Sequence, residues 1–176
     1  MKSALELKQM ADEGKTAFES ARYAFAAELF RSAADGYAAV GDEVNAAEQQ
    51  NNLSVTLLKL GRPQEALDAA LGSDEVFAGL NDVRRQGMAL NNQAAALENL
   101  GRLDEALSAY EQSAPLLGEA GEKEMRHAIL KAAAALQLRR GKVAESGLRM
   151  IGVLEAKEHP SAFERLLKYL LRLVQR

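Results

Sequence analysis

Asparagine pairs recur in this sequence at a fixed distance. Asn51-Asn52 and Asn91-Asn92 are separated by 40 residues. Each Asn side chain carries one acceptor oxygen and two N–H donors on a single amide. A row of such amides can hydrogen-bond the main chain of an extended peptide, so these residues point to recognition of another chain.

Residues that could carry out catalysis or bind a metal are few. The chain has no cysteine, which excludes disulfides, thiolate metal sites and a cysteine nucleophile. Its two histidines, His127 and His159, lack a matched metal-ligand spacing. The sequence contains no Gly-rich phosphate loop, nucleophile elbow or HExxH motif. We therefore predict a protein that is not an enzyme and that uses no cofactor and no metal ion.

Composition predicts an all-α protein without a membrane segment. Ala, Leu, Glu, Gln and Arg dominate its 176 residues and Trp is absent, a mixture that favours helix over strand. No stretch reaches the ~18 uninterrupted apolar residues of a membrane span. The first residues turn acidic before any long apolar run, so no signal peptide is visible. The net charge of −3, with both signs interspersed, argues against nucleic acid and membrane as partners. We expect a cytoplasmic protein.

The asparagine pairs belong to a repeat of 40 residues that runs the length of the chain. Leu60-Gly61-Arg62 recurs as Leu100-Gly101-Arg102, and Gly141 falls at the same place once more. A fixed period of roughly 20–50 residues indicates stacked supersecondary units. The period predicts a single domain over 1–176, made of four units and a remainder: 1–40, 41–80, 81–120, 121–160 and 161–176.

Each unit is predicted to hold two antiparallel helices. In the second unit, Leu53 and Leu57 belong to an apolar face with three- and four-residue steps. Gly61-Arg62-Pro63 then ends that helix, and a second helix is predicted from Gln64 to about Leu80. A Gly or Asn beside an acid, as in Asn81-Asp82, is expected to end one unit and begin the next.

Small and bulky residues at matching positions of the units resemble the tetratricopeptide repeat (TPR). Its pattern puts a small residue and a bulky one in the first helix and Ala-x3-aromatic in the second. The matches are Gly14 with Ala17 and Ala26-x3-Phe30, Ser54 with Leu57 and Ala66-x3-Ala70, Ala94 with Leu97 and Ala106-x3-Tyr110, and, more weakly, Ala134 with Gln137 and Ser146-x3-Met150. Small side chains allow two helices to touch while a larger one fills the gap beside them.

The resemblance covers essentially the whole chain and implies its architecture. A right-handed α-solenoid of four TPR-like helix-turn-helix repeats is expected, with a C-terminal capping helix over 161–176. The usual repeat is about 34 residues long, so this chain is similar to a long-repeat variant whose extra residues lengthen the helices.

The resemblance also implies where binding occurs. In TPR stacks the first helix of each repeat lines a concave groove, so residues at 40-residue intervals form rows along it. The resulting peptide-groove candidates are Lys8, Asp12, Lys15, Asn45, Glu48, Asn52, Val55, Lys59, Arg85, Met88, Asn92, Asn99 and Arg139. In related long-repeat proteins the residue that corresponds to Asn52 and Asn92 holds a peptide main chain. The alternative assigns the neighbouring Asn51 and Asn91 to contacts between repeats.

The same rows predict the kind of partner. Apolar side chains such as Val55 and Met88 stand among Lys, Asn and Glu, which favours an amphipathic peptide or helix of another protein. A second TPR class clamps C-terminal carboxylates with basic and Asn residues at set positions. Only Asn52 matches that class, whereas Ala11 and Met88 depart from it, so such a clamp is disfavoured.

Alternatives to peptide binding remain open. The Leu-rich segment 161–176 begins with a capping box formed by Ser161 and Glu164, and it could dimerise two copies into a self-associating scaffold. A peptide-sensing regulatory domain is another alternative. A row of cations at the turns could form a basic ridge, although a cation near a helix C-terminus is also favoured locally by ~0.3–1 kcal/mol. That row is Arg22, Arg62, Arg102 and Lys142.

Overall fold

The computed structural model describes residues 2–142, and these residues form α-helices and no β-strand. The helices are α1 (Ala4–Glu19), α2 (Tyr23–Ala39), α3 (Glu43–Lys59), α4 (Pro63–Ala70), α5 (Ser73–Gly79), α6 (Val83–Asn99), α7 (Leu103–Glu119) and α8 (Lys123–Gln137), followed by a π-helical stretch over Leu138–Lys142. The predicted all-α class is confirmed over this part of the chain.

The chain falls into two compact units that divide between Ala132 and Ala133. Of the second unit, only residues 133–142 are described. The prediction of one domain over 1–176 stays a prediction. The second helix of the fourth repeat, the capping helix over 161–176 and His159 all lie outside the described residues.

The turns repeat with half the period of the sequence, because a residue with left-handed backbone conformation occurs every 20 residues. Positive φ angles occur at Ala21, Gly41, Gly61, Asn81, Gly101, Gly121 and Gly141. After each of the first six, the next residue donates its N–H to the carbonyl oxygen five positions earlier, as Arg62 does to Leu57 at 3.0 Å. This hydrogen bond closes a helix end and satisfies a carbonyl that the helix leaves free. The predicted turns, within units and between them, are therefore one and the same turn.

Aspartates begin the helices that follow two of these turns. The carboxylate of Asp42 accepts a hydrogen bond from the backbone N–H of Asn45 at 3.1 Å, and that of Asp82 accepts one from Arg85 at 2.9 Å. Such N-caps satisfy an otherwise unpaired helical donor. They start α3 and α6 at equivalent positions, so that residues separated by 40 occupy the same place on the two helices.

Helices α1 to α7 pack largely in chain order. Helix α1 packs on α2, α2 on α3, α3 on α4 and α6 on α7, while α6 also contacts α3, α4 and α5. Residues that match the TPR pattern in the second helices are buried, among them Ala66, Ala70, Ala106 and Tyr110, and so are Phe77 and Leu117. A Cβ at Gly14 would lie 2.8 Å from the Phe30 ring, so the small residue does permit close approach of α1 and α2. The result is a helical-repeat-like bundle.

The second helix of the second unit differs from the prediction. A single helix from Gln64 to Leu80 is wrong, because α4 ends at Ala70 and α5 begins at Ser73. Between them Leu71 is extended, with ψ of 136°, and Gly72 is left-handed, with φ of 82°. Glycine adopts that conformation at little cost, whereas the third unit has Gln112 at the equivalent position and α7 stays helical there.

The first unit presents a polar face where later units are buried. Leu53 and Thr56 of α3 are buried, but Glu13 and Thr16 at the equivalent positions of α1 are exposed. Polar side chains suit this face of α1 because it is exposed to solvent, as on the outer repeats of helical stacks. None of the helices over residues 2–142 is long and apolar enough to cross a membrane.

Candidate functional site

Three clefts lie along one face of α3 and share its side chains. The polar cleft, of about 370 Å³, is lined by Ala4, Lys8, Ala11, Asp12, Lys15, Tyr37, Asp42, Asn45, Glu48 and Gln49. The first apolar cleft, of about 150 Å³, is lined by Lys15, Phe18, Glu19, Phe30, Asn52 and Val55. The second apolar cleft, of about 290 Å³, is lined by Glu48, Asn51, Asn52, Val55, Phe77, Arg84, Arg85, Met88 and Asn92.

Shared residues join these clefts into one groove. Lys15 lines the polar cleft and the first apolar cleft, and Glu48 lines the polar cleft and the second apolar cleft. Asn52 and Val55 line both apolar clefts. We call this continuous surface the α3 groove.

Helical periodicity places the lining residues. Glu48, Asn52 and Val55 follow one another at steps of four and three residues, so they share one face of α3. Lys8, Asp12 and Lys15 do the same on α1, and Arg85, Met88 and Asn92, at steps of three and four residues, share one face of α6. The equivalent starts of α3 and α6 then align Glu48 with Met88 and Asn52 with Asn92.

Two buried phenylalanines contribute apolar walls to the apolar clefts. Phe30 of α2 lines the first and is 2% exposed, and Phe77 of α5 lines the second and is 1% exposed. Val55 stands between the two clefts, and Met88 completes the apolar part of the second. The groove therefore offers two separate apolar sites, one on each side of Val55.

A chain of ion pairs crosses the groove. Glu48 lies 3.4 Å from the Lys15 Nζ and 3.8 Å from an Arg85 Nη, so it links α1, α3 and α6. Arg85 also pairs with Asp82 at 2.6 Å, and its guanidinium lies 4.8 Å from the centre of the Phe77 ring. Stacking on an aromatic face and pairing with carboxylates both hold the guanidinium in place.

The predicted asparagines line the groove and also bond within it. Asn52 donates to the side-chain oxygen of Gln49 at 3.2 Å, and Asn92 donates to that of Asn51 at 3.3 Å. The contact between repeats that was the alternative for Asn51 therefore exists, and Asn92 is its donor. Each amide has further hydrogen-bonding capacity in its second N–H and its carbonyl oxygen.

The groove brings together ten of the thirteen predicted site residues. They are Lys8, Asp12, Lys15, Asn45, Glu48, Asn52, Val55, Arg85, Met88 and Asn92. Lys59 and Asn99 stand at the last positions of α3 and α6 and line none of the three clefts. The Asn99 amide instead donates to the carbonyl oxygen of Ala95 at 2.8 Å. Arg139 belongs to the second unit of the chain.

Sequence reasoning missed several lining residues. Phe30 and Phe77 come from second helices, which the TPR resemblance assigns to the outer face, so neither was predicted to line the groove. Phe18 follows Lys15 by one helical step, which was a usable signal. Arg84, next to the predicted Arg85, also lines the second apolar cleft, and it pairs with Glu122 at 2.5 Å.

The basic row at the turns is locally paired. Arg62 donates two hydrogen bonds of 2.6 Å to Glu65, and Arg102 donates bonds of 2.8 and 2.6 Å to Glu105. The hydrogen bond from the Arg62 guanidinium lowers the pKa of Glu65, because it stabilises the carboxylate form. Arg22 instead lies 5.4 Å from the ring centre of Phe25. Local pairing therefore accounts for these three cations.

Two titratable groups in or next to the groove have pKa values that their surroundings shift. Burial raises the pKa of Tyr37, and the nearby carboxylates of Asp42, Glu48 and Asp12 raise it further, so its phenol stays protonated at neutral pH. Hydrogen bonds from the backbone and side chain of Arg85 lower the pKa of Asp82. Over residues 2–142, no group of three His, Asp or Glu side chains could hold a metal ion.

Comparison with the models of known protein families gave no match, and comparison with curated proteins gave none either. The function of the α3 groove has therefore to be inferred from its own residues.

Proposed function

We propose that this chain is a long-repeat TPR module that binds a peptide or helical segment of another protein in the α3 groove. It acts in the cytoplasm, without catalysis and without a cofactor. On this proposal its four repeats form a right-handed solenoid, and the first helices of the repeats face the partner.

The continuity of the groove carries this proposal. Three clefts merge through Lys15, Glu48, Asn52 and Val55 into a surface that extends from α1 to α6. An elongated surface with apolar sites and amide donors suits a segment of polypeptide, whereas a small substrate is usually enclosed by one pocket. On this proposal, the amides of Asn52 and Asn92 hydrogen-bond the partner's main chain.

Replacement of both Asn52 and Asn92 by Ala tests the proposal. Loss of about two hydrogen bonds is expected to weaken partner binding about tenfold or more. Affinity capture from lysate of the source organism, followed by titration of the captured partner, measures the effect. Circular dichroism should show retained helicity, with a modest fall in thermal stability because the bonds from Asn52 to Gln49 and from Asn92 to Asn51 are also lost.

Asn99→Ala is the matched control. It is the same substitution on α6, at a residue that lines none of the three clefts. It should bind the partner as the wild type does. Equal binding by the double variant and the wild type would show that the partner sits elsewhere.

A further inference from the structure

We infer that the occupant of the α3 groove is an uncharged, extended segment with two large apolar side chains, one on each side of Val55. This inference rests on the function proposed above and narrows it to one class of partner sequence.

The two apolar clefts supply the anchoring sites. Val55 separates a cleft of about 150 Å³ beside Phe18 and Phe30 from one of about 290 Å³ beside Phe77 and Met88. Burial of apolar surface is the main favourable contribution to most protein association. Two anchors that straddle Val55 use both clefts, whereas a single anchor leaves one of them in water.

Most charges that line the two apolar clefts are already paired within the described residues, and the exception is Glu19, an exposed residue that lines the first. Lys15 pairs with Glu48, Arg85 pairs with Glu48 and Asp82, and Arg84 pairs with Glu122. A charged side chain of the partner would have to displace one of these pairs, or lose its own hydration without gaining a counter-charge. The complementary occupant is therefore neutral where it crosses the apolar clefts, and its affinity should depend little on salt.

The position of Asn52 favours an extended main chain over a helix. Asn52 lines both apolar clefts, so its amide lies between the two anchors. An α-helix uses its main-chain N–H and C=O groups internally, whereas an extended segment presents them to such an amide.

Helix spacing sets the separation of the anchors. Packed helices lie ~8–10 Å apart, and the clefts lie on the two sides of α3. In a polyproline II conformation three residues advance ~9 Å and return to the same side of the chain. The expected anchors are therefore residues i and i+3.

A set of short synthetic peptides tests this inference on the full chain. Each has blocked ends, a Ser, Thr and Gln background and two anchors chosen from Leu, Met and Phe, at spacings i,i+1, i,i+3 or i,i+7. Further versions carry Glu or Lys between the anchors. Fluorescence anisotropy measures the affinity of each peptide at about 50 and about 500 mM NaCl. The higher concentration screens electrostatic interactions more strongly.

Neutral i,i+3 peptides are expected to bind about tenfold more tightly than i,i+1 peptides of the same composition. Their affinity should change less than about threefold between the two salt concentrations. Met88→Trp fills the second apolar cleft. It should lower the affinity of two-anchor peptides to that of peptides with a single anchor. The Asn52→Ala, Asn92→Ala double variant should weaken all of them.

Other outcomes overturn the inference in distinguishable ways. Tighter binding of i,i+7 or charged peptides, still dependent on Asn52 and Asn92, would overturn it while the groove remained a peptide site. Failure of every peptide to bind would also overturn it, and the natural partner's dependence on the two asparagines would then decide the proposed function separately. Peptide binding that is indifferent to both asparagines and to Met88→Trp would count against both proposals.

Discussion

The hydroxyl of Ser113 donates a hydrogen bond of 2.7 Å to the carbonyl oxygen of Gly87. This bond ties α7 to α6, the two helices of one repeat, inside the buried core. Forty residues earlier, the Ser73 hydroxyl stands in the same relation to the carbonyl oxygen of Ala47, at 3.5 Å. The longer distance occurs in the repeat whose second helix is broken.

Ser113→Ala is expected to destabilise the fold by about 1 kcal/mol, because a buried hydrogen bond between helices is lost. Ser54→Ala is the matched comparison, with the opposite expected sign. The Ser54 hydroxyl is fully buried and has no hydrogen-bond partner within the described residues, and Ala94 fills the equivalent site of the next repeat. Removing it should raise the free energy of unfolding by up to about 1 kcal/mol.

Urea unfolding of the two variants measures both changes under identical conditions. A loss of stability in Ser54→Ala comparable to that in Ser113→Ala would contradict the difference in hydrogen bonding between the two serines.

Ala21→Gly is expected to stabilise the protein by about 1 kcal/mol. Ala21 has a φ of 56°, and a left-handed conformation costs an L-residue with a Cβ roughly 1–2 kcal/mol. Glycine removes that strain, although it also gains freedom in the unfolded chain. The thermal midpoint should rise accordingly.

Ala128→Gly provides the control for that change. Ala128 is exposed within α8, where Gly costs ~1 kcal/mol relative to Ala. The same substitution should therefore act in opposite directions at the two positions. A destabilised Ala21→Gly variant would show that the turn imposes no strain on alanine.

Asp82 makes stability depend on pH on the acid side. Its pKa is lowered in the folded protein, first by the hydrogen bond from the backbone N–H of Arg85 and then by the Arg85 side chain. A lowered folded-state pKa contributes stability that is present above the ordinary Asp pKa and is lost as pH falls through the folded value. Asp82→Asn should cost about 1 kcal/mol at pH ~7, and the cost should shrink progressively as pH falls below the ordinary Asp pKa.

Thermal melting across that pH range tests the prediction, with Glu111→Gln as a control at an exposed carboxylate of α7. The control should stay within about 0.5 kcal/mol of the wild type at every pH. A constant deficit in Asp82→Asn down to pH ~2 would mean that the charge of Asp82 is not the source of its contribution.

Much of the fold follows from residues that act locally. The turns were predictable because Gly or Asn occupies most of the left-handed positions, and the regular turn spacing then fixes which helical faces align. That alignment places Glu48, Asn52 and Val55 on one face of α3, and the TPR resemblance is what identified that face as the groove.

The parts that escaped prediction depend on contacts distant in sequence. One Gly inside a helical pattern costs only ~1 kcal/mol relative to Ala. Gly72 therefore does not by itself predict a break in the helix. The break is supported by Gln93, which comes from the next repeat. Phe30 and Phe77 escaped for a similar reason, because the depth of each apolar cleft depends on side chains from different helices packing together.

Gln93 holds the two sides of the break between α4 and α5. Its side-chain amide donates to the carbonyl oxygen of Ala70 at 3.2 Å and to the carboxylate of Asp74 at 2.6 Å. Gln93→Ala leaves the Ala70 carbonyl without that donor, which should cost about 1–2 kcal/mol. Because α5 has only seven residues, the cost should appear first as local opening, with faster hydrogen exchange over residues 73–80.

Mass spectrometry of peptide fragments compares exchange over 73–80 with exchange over the equivalent residues 113–120 of α7. In Gln93→Ala, hydrogen exchange should become faster over 73–80 and stay unchanged over 113–120. Gln112→Ala is the control, since the Gln112 amide donates to Ser108 within its own helix and should leave both segments unaffected. Because Phe77 lines the second apolar cleft from α5, Gln93→Ala should also weaken binding in that cleft more than in the first. Equal acceleration of exchange in both segments would mean that Gln93 supports the whole stack and that the break is no more mobile than α7.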